Sequence, residues 1–309
     1  MIDAFELAGL VGLGTAPLGS GPGWEVSWGR SDPSEAAAVV EAAARAGVGW
    51  IDTAPFYGWG RAESVVGSAL RGLDCRPMLL TKCGALQRKS DGREDGSAGS
   101  ISADLEGSLT RLGCSFVDVL QLHGPEPTVP IEPGWEAVCE QIALGRARAG
   151  GMSNYPVALM DRASAIGPVS VVQHQYSLLH RTPEVDAVLS WCADNGAAFL
   201  AWSPLASGFL ADGFDLVALE PGDFRRRKPF ADPNRLDLQS MRRDLRVLAD
   251  QAGLSMTAVA IGWVLAKGAR VIIGARSPAE AAAMTSYKAL SADLAAEAEE
   301  IVSRAWCAS

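Results

Sequence analysis

The sequence has no CxxC pair, and its six cysteines are scattered at Cys75, Cys83, Cys114, Cys139, Cys192 and Cys307. Zinc sites and thiol redox motifs need closely spaced cysteines or a fixed histidine spacing, so we expect reduced thiols and no metal site. No run of about 18 uncharged apolar residues occurs, so no membrane-spanning helix is expected. The N-terminus carries Asp3 and Glu6 and lacks the basic start and apolar core of a signal peptide. A cytoplasmic location is therefore predicted.

Positive charge is also in the minority. The chain has 27 Lys and Arg residues against 36 Asp and Glu residues, a formal net charge of -9. A field of that sign repels phosphate backbones and anionic lipid, so neither a nucleic acid nor a membrane is expected as a partner. Hydrophobic residues make up 48% of the 309 residues and charged residues 20%, which predicts a sizeable core and no disorder.

Short apolar runs recur along the chain and predict buried strands. There are eight of them, at residues 10–14, 48–52, 78–82, 117–122, 147–153, 169–173, 198–203 and 270–274. Segments with helical spacing lie between them, at 34–46, 62–71, 102–112, 135–144, 184–195 and 257–267. Strand and helix therefore alternate, which indicates a parallel sheet.

Eight strands with eight crossovers close most simply into a (β/α)8 TIM barrel, because an open sheet leaves two long edges unprotected. A doubly wound open sheet is the alternative. The glycines of GLGTAPLG near the N-terminus, however, miss the GxGxxG spacing of its dinucleotide-binding turn. We predict one α/β barrel domain over residues 1–309. Extra helices are expected at 236–251 and 292–304, and long loops at 84–99 and 204–235 over the C-terminal face.

Polar side chains stand at the ends of the predicted strands, where a barrel places its active site. Asp52 ends the second strand, Lys82 ends the third and His123 follows the fourth, with Tyr57 five residues beyond Asp52. Singly, Asp52 is explained as a turn residue, Lys82 as a solvated strand end and His123 as a core histidine. Together they converge on one point at the barrel mouth.

A phenol has an ordinary pKa of about 10, so Tyr57 donates a proton poorly at neutral pH unless a cation stabilises the tyrosinate. Lys82 can supply that cation, Asp52 can keep it charged, and neutral His123 can hydrogen-bond the substrate oxygen or the phenol. This set suits protonation of an oxygen that gains negative charge as a carbonyl accepts a hydride. No side chain supplies a hydride, so a nicotinamide cofactor is implied.

Five further segments stand out along the chain, namely DTAPFYG at 52–58, Thr81-Lys82, Gln121-Leu122-His123, MSNY at 152–155 and QHQYSLLHR at 173–181. In order and spacing they resemble the aldo-keto reductase family. The resemblance covers about residues 8–288. It implies an NAD(P)H-dependent enzyme in which Tyr57 is the general acid in reduction and the general base in oxidation. Lys82 would tune Tyr57, Asp52 would pair with Lys82, and His123 would orient the carbonyl.

The resemblance also implies the cofactor contacts. Ser153, Asn154 and Gln173 match positions that hydrogen-bond the nicotinamide carboxamide, and Trp202 matches the aromatic ring stacked on it. The segment 203–208 resembles the loop around the pyrophosphate, with Ser203, Leu205, Ser207 and Gly208 as the contact residues. Residues 274–277 resemble the loop around the adenosine ribose, with contacts from Gly274, Arg276 and Ser277.

Arg276 is the candidate partner for a 2′-phosphate by its charge and its forked geometry, which favours NADPH. Two departures from the family pattern point the other way. Glu280 stands where many members have Gln or Arg, and Ala283-Met284 stand where they have Glu-Asn. A carboxylate near the ribose favours a free 2′-hydroxyl, as in NAD, so NAD is left open beside NADP, which stays the preferred cofactor.

Three tryptophans, Trp24, Trp28 and Trp59, lie in loops over the catalytic face. They can form an apolar substrate pocket or pack on one another, and the sequence does not distinguish the two. A small-molecule carbonyl or alcohol is the expected partner, and the oligomeric state is left open. The alternatives are an NAD-dependent dehydrogenase of sugars or cyclic alcohols, and a slow cofactor-sensing subunit similar to channel-associated beta subunits of this fold.

Overall fold

The computed structural model describes residues 6–84, 96–125, 129–232 and 234–306. Its sheet is a closed barrel in which all neighbouring strands run parallel and β1 pairs with both β2 and β8. The strands are β1 (Val11–Gly14), β2 (Trp50–Asp52), β3 (Met78–Cys83), β4 (Val117–Leu122), β5 (Ala147–Ser153), β6 (Val171–Gln175), β7 (Ala198–Trp202) and β8 (Arg270–Gly274). The predicted (β/α)8 barrel is confirmed.

Helices on the outside of the barrel follow the strands in chain order. They are α1 (Pro33–Arg45), α2 (Arg61–Leu70), α3 (Ala98–Leu112), α4 (Ile131–Ala143), α5 (Val157–Ser164), α6 (Pro183–Asn195), α7 (Leu236–Gln251), α8 (Met256–Ala266), α9 (Pro278–Ala283) and α10 (Ala292–Trp306). The predicted extra helices are α7, which precedes α8 in the crossover from β7 to β8, and α10, which follows the barrel. The spacing analysis found no segment for α5, which buries only Met160 and Ala163 and so carries little periodic signal.

The barrel interior has an apolar floor. It is built by Leu7, Trp50, Leu80, Val119, Ala149, Val171, Leu200 and Ile272, which form one buried cluster. Trp50 is fully buried, and its ring occupies the space that a side chain on β1 would need. A Cβ added to Gly12 would lie 2.2 Å from the Trp50 ring. The glycine is therefore required by packing and leaves room for the largest floor residue.

Polar residues form the next interior layer, towards the C-terminal strand ends. Asp52, Lys82, Gln121 and Gln173 each lie two residues after a floor residue of the same strand and so point to the same inner face. All four side chains are 2% exposed or less. The fold thus sets a layer of buried polar groups between the apolar floor and the mouth of the barrel.

Several predicted boundaries need correction. The sixth strand runs from Val171 to Gln175 rather than over 169–173, and the seventh ends at Trp202 because Ser203 turns to a positive φ of 56°. The predicted loop 84–99 overlaps α3, which begins at Ala98, and its residues 85–95 lie outside the described residues. The loop 204–235 contains two short 3-10 turns, Phe224–Arg227 and Pro229–Ala231.

Within the described ranges, no single helix has the length and apolar character needed to cross a membrane, although α7 and α8 together, bent by 87°, meet that requirement by length and composition. Nor do His, Cys, Asp and Glu side chains of the described residues form a group that could hold a metal ion.

Candidate active site

The predicted Asp52, Tyr57 and Lys82 side chains meet at the barrel mouth. Asp52 ends β2, Lys82 lies near the end of β3, and Tyr57 lies in the turns that follow β2. The Lys82 ammonium donates to Asp52 Oδ1 at 2.5 Å, to the Thr53 carbonyl oxygen at 3.0 Å and to Tyr57 Oη at 3.1 Å. These three bonds use all three ammonium protons, so Lys82 is fixed with one proton directed at the phenol.

Burial and charge act against each other in this group. Burial lowers the pKa of Lys82, but the opposing effects of Asp52 and Tyr57 are together stronger, so that pKa is raised and Lys82 stays charged. Burial raises the pKa of Tyr57, and Asp52 raises it further, while Lys82 lowers it. Lys82 therefore acts on Tyr57 in the predicted direction, but burial outweighs it, and the phenol is protonated at neutral pH.

His123 follows β4 beside the phenol. Its ring centre lies 5.9 Å from that of Tyr57, with the ring planes nearly perpendicular at 83°. Burial, followed by the charge of Lys82, lowers the pKa of His123 well below its ordinary value. The imidazole is therefore neutral at pH 7, and a neutral imidazole both donates and accepts a hydrogen bond.

Aromatic rings surround this group on one side. Trp24 is 4% exposed and its ring centre lies 6.3 Å from that of Tyr57. Phe56 contacts the rings of Trp24, Trp59 and His123 edge-on, at centre distances of 5.8, 5.5 and 6.0 Å. Trp59 is 48% exposed and donates through its indole N–H to the Gly23 carbonyl oxygen. Phe56 was missed by the sequence reasoning, although it directly precedes Tyr57.

Trp28 lies apart from these rings. It packs against Phe224, with ring centres 4.9 Å apart, and the Arg225 guanidinium lies 5.1 Å from its ring centre. Both partners belong to the long segment between β7 and α7. Trp28 therefore packs on two residues of that segment.

Ser153, Asn154 and Trp202, predicted to contact a nicotinamide, form one hydrogen-bonded group. Asn154 has a positive φ of 64° and donates to Ser153 Oγ at 3.0 Å and to the His123 carbonyl oxygen at 3.3 Å. The Trp202 indole donates to Asn154 Oδ1 at 3.0 Å. These contacts connect the ends of β5 and β7 to His123, the residue that follows β4.

Gln173 points into the polar layer. Its amide nitrogen donates to Asp52 Oδ2 at 2.8 Å and to Gln121 Oε1 at 3.2 Å. Gln121 in turn donates to Asp52 Oδ2 at 3.2 Å. Gln121 belongs to the segment Gln121-Leu122-His123, but the sequence predicts no role for it, since its contact with Asp52 depends on the strand register.

The segment after β7 turns tightly. Ser203, Ala206, Ser207 and Gly208 all have positive φ, from 48° to 90°, and the Ser207 N–H donates to Ser203 Oγ at 2.9 Å. Leu205 belongs to the same turns, since its carbonyl oxygen accepts from the N–H groups of Gly208 and Leu210. This geometry gives the segment a folded backbone whose small side chains leave its surface approachable.

Arg276, Ser277 and Glu280 lie at the start of α9, after Gly274. The Ser277 side chain caps the helix by accepting from the Glu280 N–H, and Glu280 Oε2 accepts from the Arg276 N–H at 2.8 Å. Arg276 is exposed and donates through Nη2 to the Arg30 carbonyl oxygen at 3.4 Å. The Glu280 carboxylate is therefore bonded to the backbone of this turn, while the Arg276 side chain lies at the surface.

Comparisons with known proteins agree with this architecture. The chain matches the Aldo/keto reductase family over residues 10–303. It is 32% identical over 285 residues to the Bacillus subtilis aldo-keto reductase YhdN, covering 90% of this chain and 84% of that protein. It is 29% identical over 289 residues to the NADH-specific methylglyoxal reductase of Escherichia coli, covering 87% and 86%. A solved glycerol dehydrogenase from Gluconobacter oxydans matches with a TM-score of 0.83 at 29% identity, covering 95% of this chain and 91% of that one.

Proposed function

The chain belongs to the aldo/keto reductase family, and from this premise we propose that it reduces the carbonyl group of an aldehyde or ketone with NADPH. NAD(P)H-dependent carbonyl reduction is the reaction of that family. The observation that carries the proposal is the contact of 3.1 Å between the Lys82 ammonium and the Tyr57 phenol, with Asp52 on the other side of the ammonium. This places a half-buried proton donor next to a fixed and fully buried cation.

The residues around the mouth fit a nicotinamide dinucleotide by their chemistry. Ser153 and Asn154 offer a hydroxyl and an amide, the two kinds of group that bind a carboxamide. The turns of 203–208 present backbone and small side chains to which phosphate oxygens can come close. Trp202 offers a ring for stacking, and Arg276 offers a surface cation. We propose that these residues, together with Leu205, Ser207, Gly274 and Ser277, hold the cofactor.

Tyr57 donates its proton to the carbonyl oxygen as that oxygen gains negative charge. Lys82 stabilises the tyrosinate that remains, and Asp52 keeps Lys82 charged and oriented. Neutral His123 donates a hydrogen bond to the carbonyl oxygen and so orients the substrate. A nicotinamide held by the residues named above would supply the hydride that the carbonyl carbon accepts. Trp24 and Phe56 pack against Tyr57, and apolar rings beside a charged group strengthen its electrostatic interactions where they displace water.

NADPH is proposed over NADH because of the turn at the start of α9. Arg276 is the exposed cation of that turn, and the Glu280 carboxylate is directed at the Arg276 backbone N–H. A carboxylate held in this way competes less with a 2′-phosphate for Arg276. The Escherichia coli relative is named as NADH-specific, so NAD is kept as the alternative cofactor.

The substrate is proposed only as an aldehyde or ketone whose apolar part packs against Trp24, Phe56 and Trp59. The glycerol dehydrogenase among the similar structures favours one second candidate, an NAD-dependent dehydrogenase of polyols or related alcohols. The cytoplasmic location stays a prediction from the sequence.

One assay distinguishes these functions. The purified protein is given NADPH or NADH with a panel of aldehydes and ketones, and the loss of reduced-cofactor absorbance is followed. The same protein is then given NAD or NADP with a panel of alcohols. We expect carbonyl reduction, faster with NADPH. Alcohol oxidation with NAD alone would favour the dehydrogenase, and tight cofactor binding without turnover on either panel would favour the cofactor sensor.

A further inference from the structure

Asp52 is a carboxylate with both oxygens engaged below the mouth of the barrel. Its side chain is almost fully buried, and Lys82 contacts only Oδ1. The other oxygen, Oδ2, accepts from the amides of Gln121 and Gln173. Burying a carboxylate oxygen without a hydrogen-bond partner is unfavourable, and the amides of Gln121 and Gln173 supply the partners of Oδ2.

The chemistry of the partners fixes the direction of both amides. An ionised carboxylate only accepts hydrogen bonds, so each glutamine must turn its nitrogen towards Asp52. Gln173 uses its second N–H to donate to Gln121 Oε1 at 3.2 Å. Gln121 is therefore engaged at both ends: its nitrogen holds Asp52, and its oxygen orients the amide of Gln173.

The neighbouring strand leaves room for Gln121. Gln121 on β4 is in register with Lys82 on β3 and with Gly151 on β5. A Cβ added to Gly151 would lie 2.8 Å from Gln121 Cγ and 2.9 Å from the Val171 carbonyl oxygen. The side chain of Gln121 thus occupies the space that a larger residue at position 151 on β5 would fill. Gly151 leaves this space free, and Gln121 uses it while it contacts Asp52.

We propose that Gln121 is a positioning residue for carbonyl reduction, which acts through Asp52 and Lys82 on the proton donor Tyr57. The inference rests on the function proposed above. Each hydrogen bond to Oδ2 draws negative charge away from the rest of the carboxylate. Because the charge of Asp52 raises the pKa of Tyr57, an amide that offsets this charge makes Tyr57 a better acid. Gln121 does not touch the phenol, so its effect is carried entirely by the charge and position of Asp52.

The first test is Gln121→Met, which keeps the side-chain length and removes both hydrogen bonds. Reduction is followed in a single turnover, so that product release does not hide the proton-transfer step. We expect the reduction rate to fall about ten-fold, as for the loss of one hydrogen bond to a charged group, while the dissociation constant for the aldehyde changes less than about two-fold. A folded variant with the wild-type rate would overturn the proposal.

The second test, Gln121→Glu, has a signature that a structural role does not produce. A protonated glutamic acid can still donate to Asp52 Oδ2, whereas an ionised one adds a second negative charge. Asp52 from β2 and Lys82 from β3 are the charged groups that face this position, and the residues next to it on β5 and β6, Gly151 and Gln173, carry no charge. Two adjacent carboxylates resist joint ionisation, so the pKa of the new group should lie above the ordinary value of about 4.3.

The rate of Gln121→Glu should therefore approach that of the wild type at low pH and fall as the pH rises through a new inflection. Gln121→Met should be slow at every pH without that inflection. An unchanged pH profile in the glutamate variant would overturn the proposal, even if both variants were less stable than the wild type. If either variant failed to fold, the profile of the other would still decide.

Matched controls come from Gln141 on α4, which is 2% exposed and thus as buried as Gln121. Gln141→Met and Gln141→Glu change another buried amide outside the barrel interior. They should leave the single-turnover rate within about two-fold of the wild type at each pH at which they stay folded. If the wild-type protein itself reduces no carbonyl compound, the proposed function is contradicted. If the wild type is active and the Gln121 variants reduce the aldehyde at the wild-type rate, only this inference is contradicted.

Discussion

His123 carries a neutral imidazole, and this charge state sets the pH range of the proposed reaction. Burial and then the charge of Lys82 lower its pKa well below the ordinary value. Because a base stays neutral above its pKa, lowering the pH from about 8 to about 6 leaves His123 uncharged. We expect kcat/KM for carbonyl reduction, measured at saturating NADPH, to stay constant over that range.

The control for this pH prediction is His123→Gln, which retains hydrogen bonding but does not titrate. It should be slower than the wild type, and its profile should be equally flat. A wild-type inflection near the ordinary histidine pKa of about 6.5, absent from the glutamine variant, would contradict a neutral His123.

Arg276 gives a prediction about cofactor choice at the same scale. An exposed charge-assisted hydrogen bond to a phosphate contributes about 1.5 kcal/mol, which corresponds to about ten-fold in affinity. Arg276→Ala should therefore raise the dissociation constant of NADPH about ten-fold and leave that of NADH nearly unchanged, as measured by fluorescence titration. NADH serves as the control ligand, because it lacks the 2′-phosphate. An equal rise in the dissociation constants of NADPH and NADH would contradict the assignment of Arg276 to the 2′-phosphate.

The polar residues at the strand ends could be predicted from the sequence because each stands where a predicted apolar run ends. Asp52, Lys82 and His123 stand out in this way. Gln121 does not, since it lies inside a strand, and its partner Asp52 is 69 residues away. Its contact with Asp52 follows from which strand faces point inward and from the registers of β2 with β3 and of β3 with β4, and the local sequence specifies neither.

At the scale of the element, β1 illustrates how packing selects a residue. The ring of Trp50 on β2 fills the space beside Gly12, and both lie in the barrel interior. Gly12→Ala should force the ring or the strand to move, and overpacking of this kind costs about 1–3 kcal/mol. We expect the free energy of unfolding, measured with denaturant, to fall by about 2 kcal/mol.

Gly99→Ala is the matched control for the Gly12 substitution. It lies in α3, and a Cβ there meets nothing within 4 Å. Alanine in a helix is more favourable than glycine by about 0.5–1 kcal/mol, so this variant should be as stable as the wild type or slightly more stable. Equal stability of both variants would show that the space next to Trp50 can accept a methyl group.

Elements with strong patterns were predicted to within a few residues, and weakly patterned ones were not. β4, β5 and β8 match their predicted bounds, because each apolar run is limited by polar or glycine residues. The short α9 was not separated from the loop after β8, since its six residues bury only Ala281. β6 is displaced by two residues because its register is set by pairing with β5 and β7.

At the scale of the whole molecule, closure of the barrel brings together residues that are far apart in the chain. Asp52, Lys82, Gln121 and Gln173 belong to four different strands and share one buried layer. Alternation of strand and helix was enough to predict the barrel, and the barrel predicts a common mouth for the strand ends. The arrangement of the aromatic rings around Tyr57 could not be predicted, because Trp24 and Phe56 are placed by loop contacts rather than by periodicity.

The central claim is that the barrel presents Tyr57 as the proton donor beside a nicotinamide site. The most direct test is the single-turnover rate of aldehyde reduction by Tyr57→Phe, measured together with its dissociation constant for NADPH. Because a positioned acid contributes about 10²–10⁴ in rate, the rate should fall by that factor or more, while the dissociation constant should stay within about two-fold of the wild type. A Tyr57→Phe protein that reduces the aldehyde at the wild-type rate would contradict the claim.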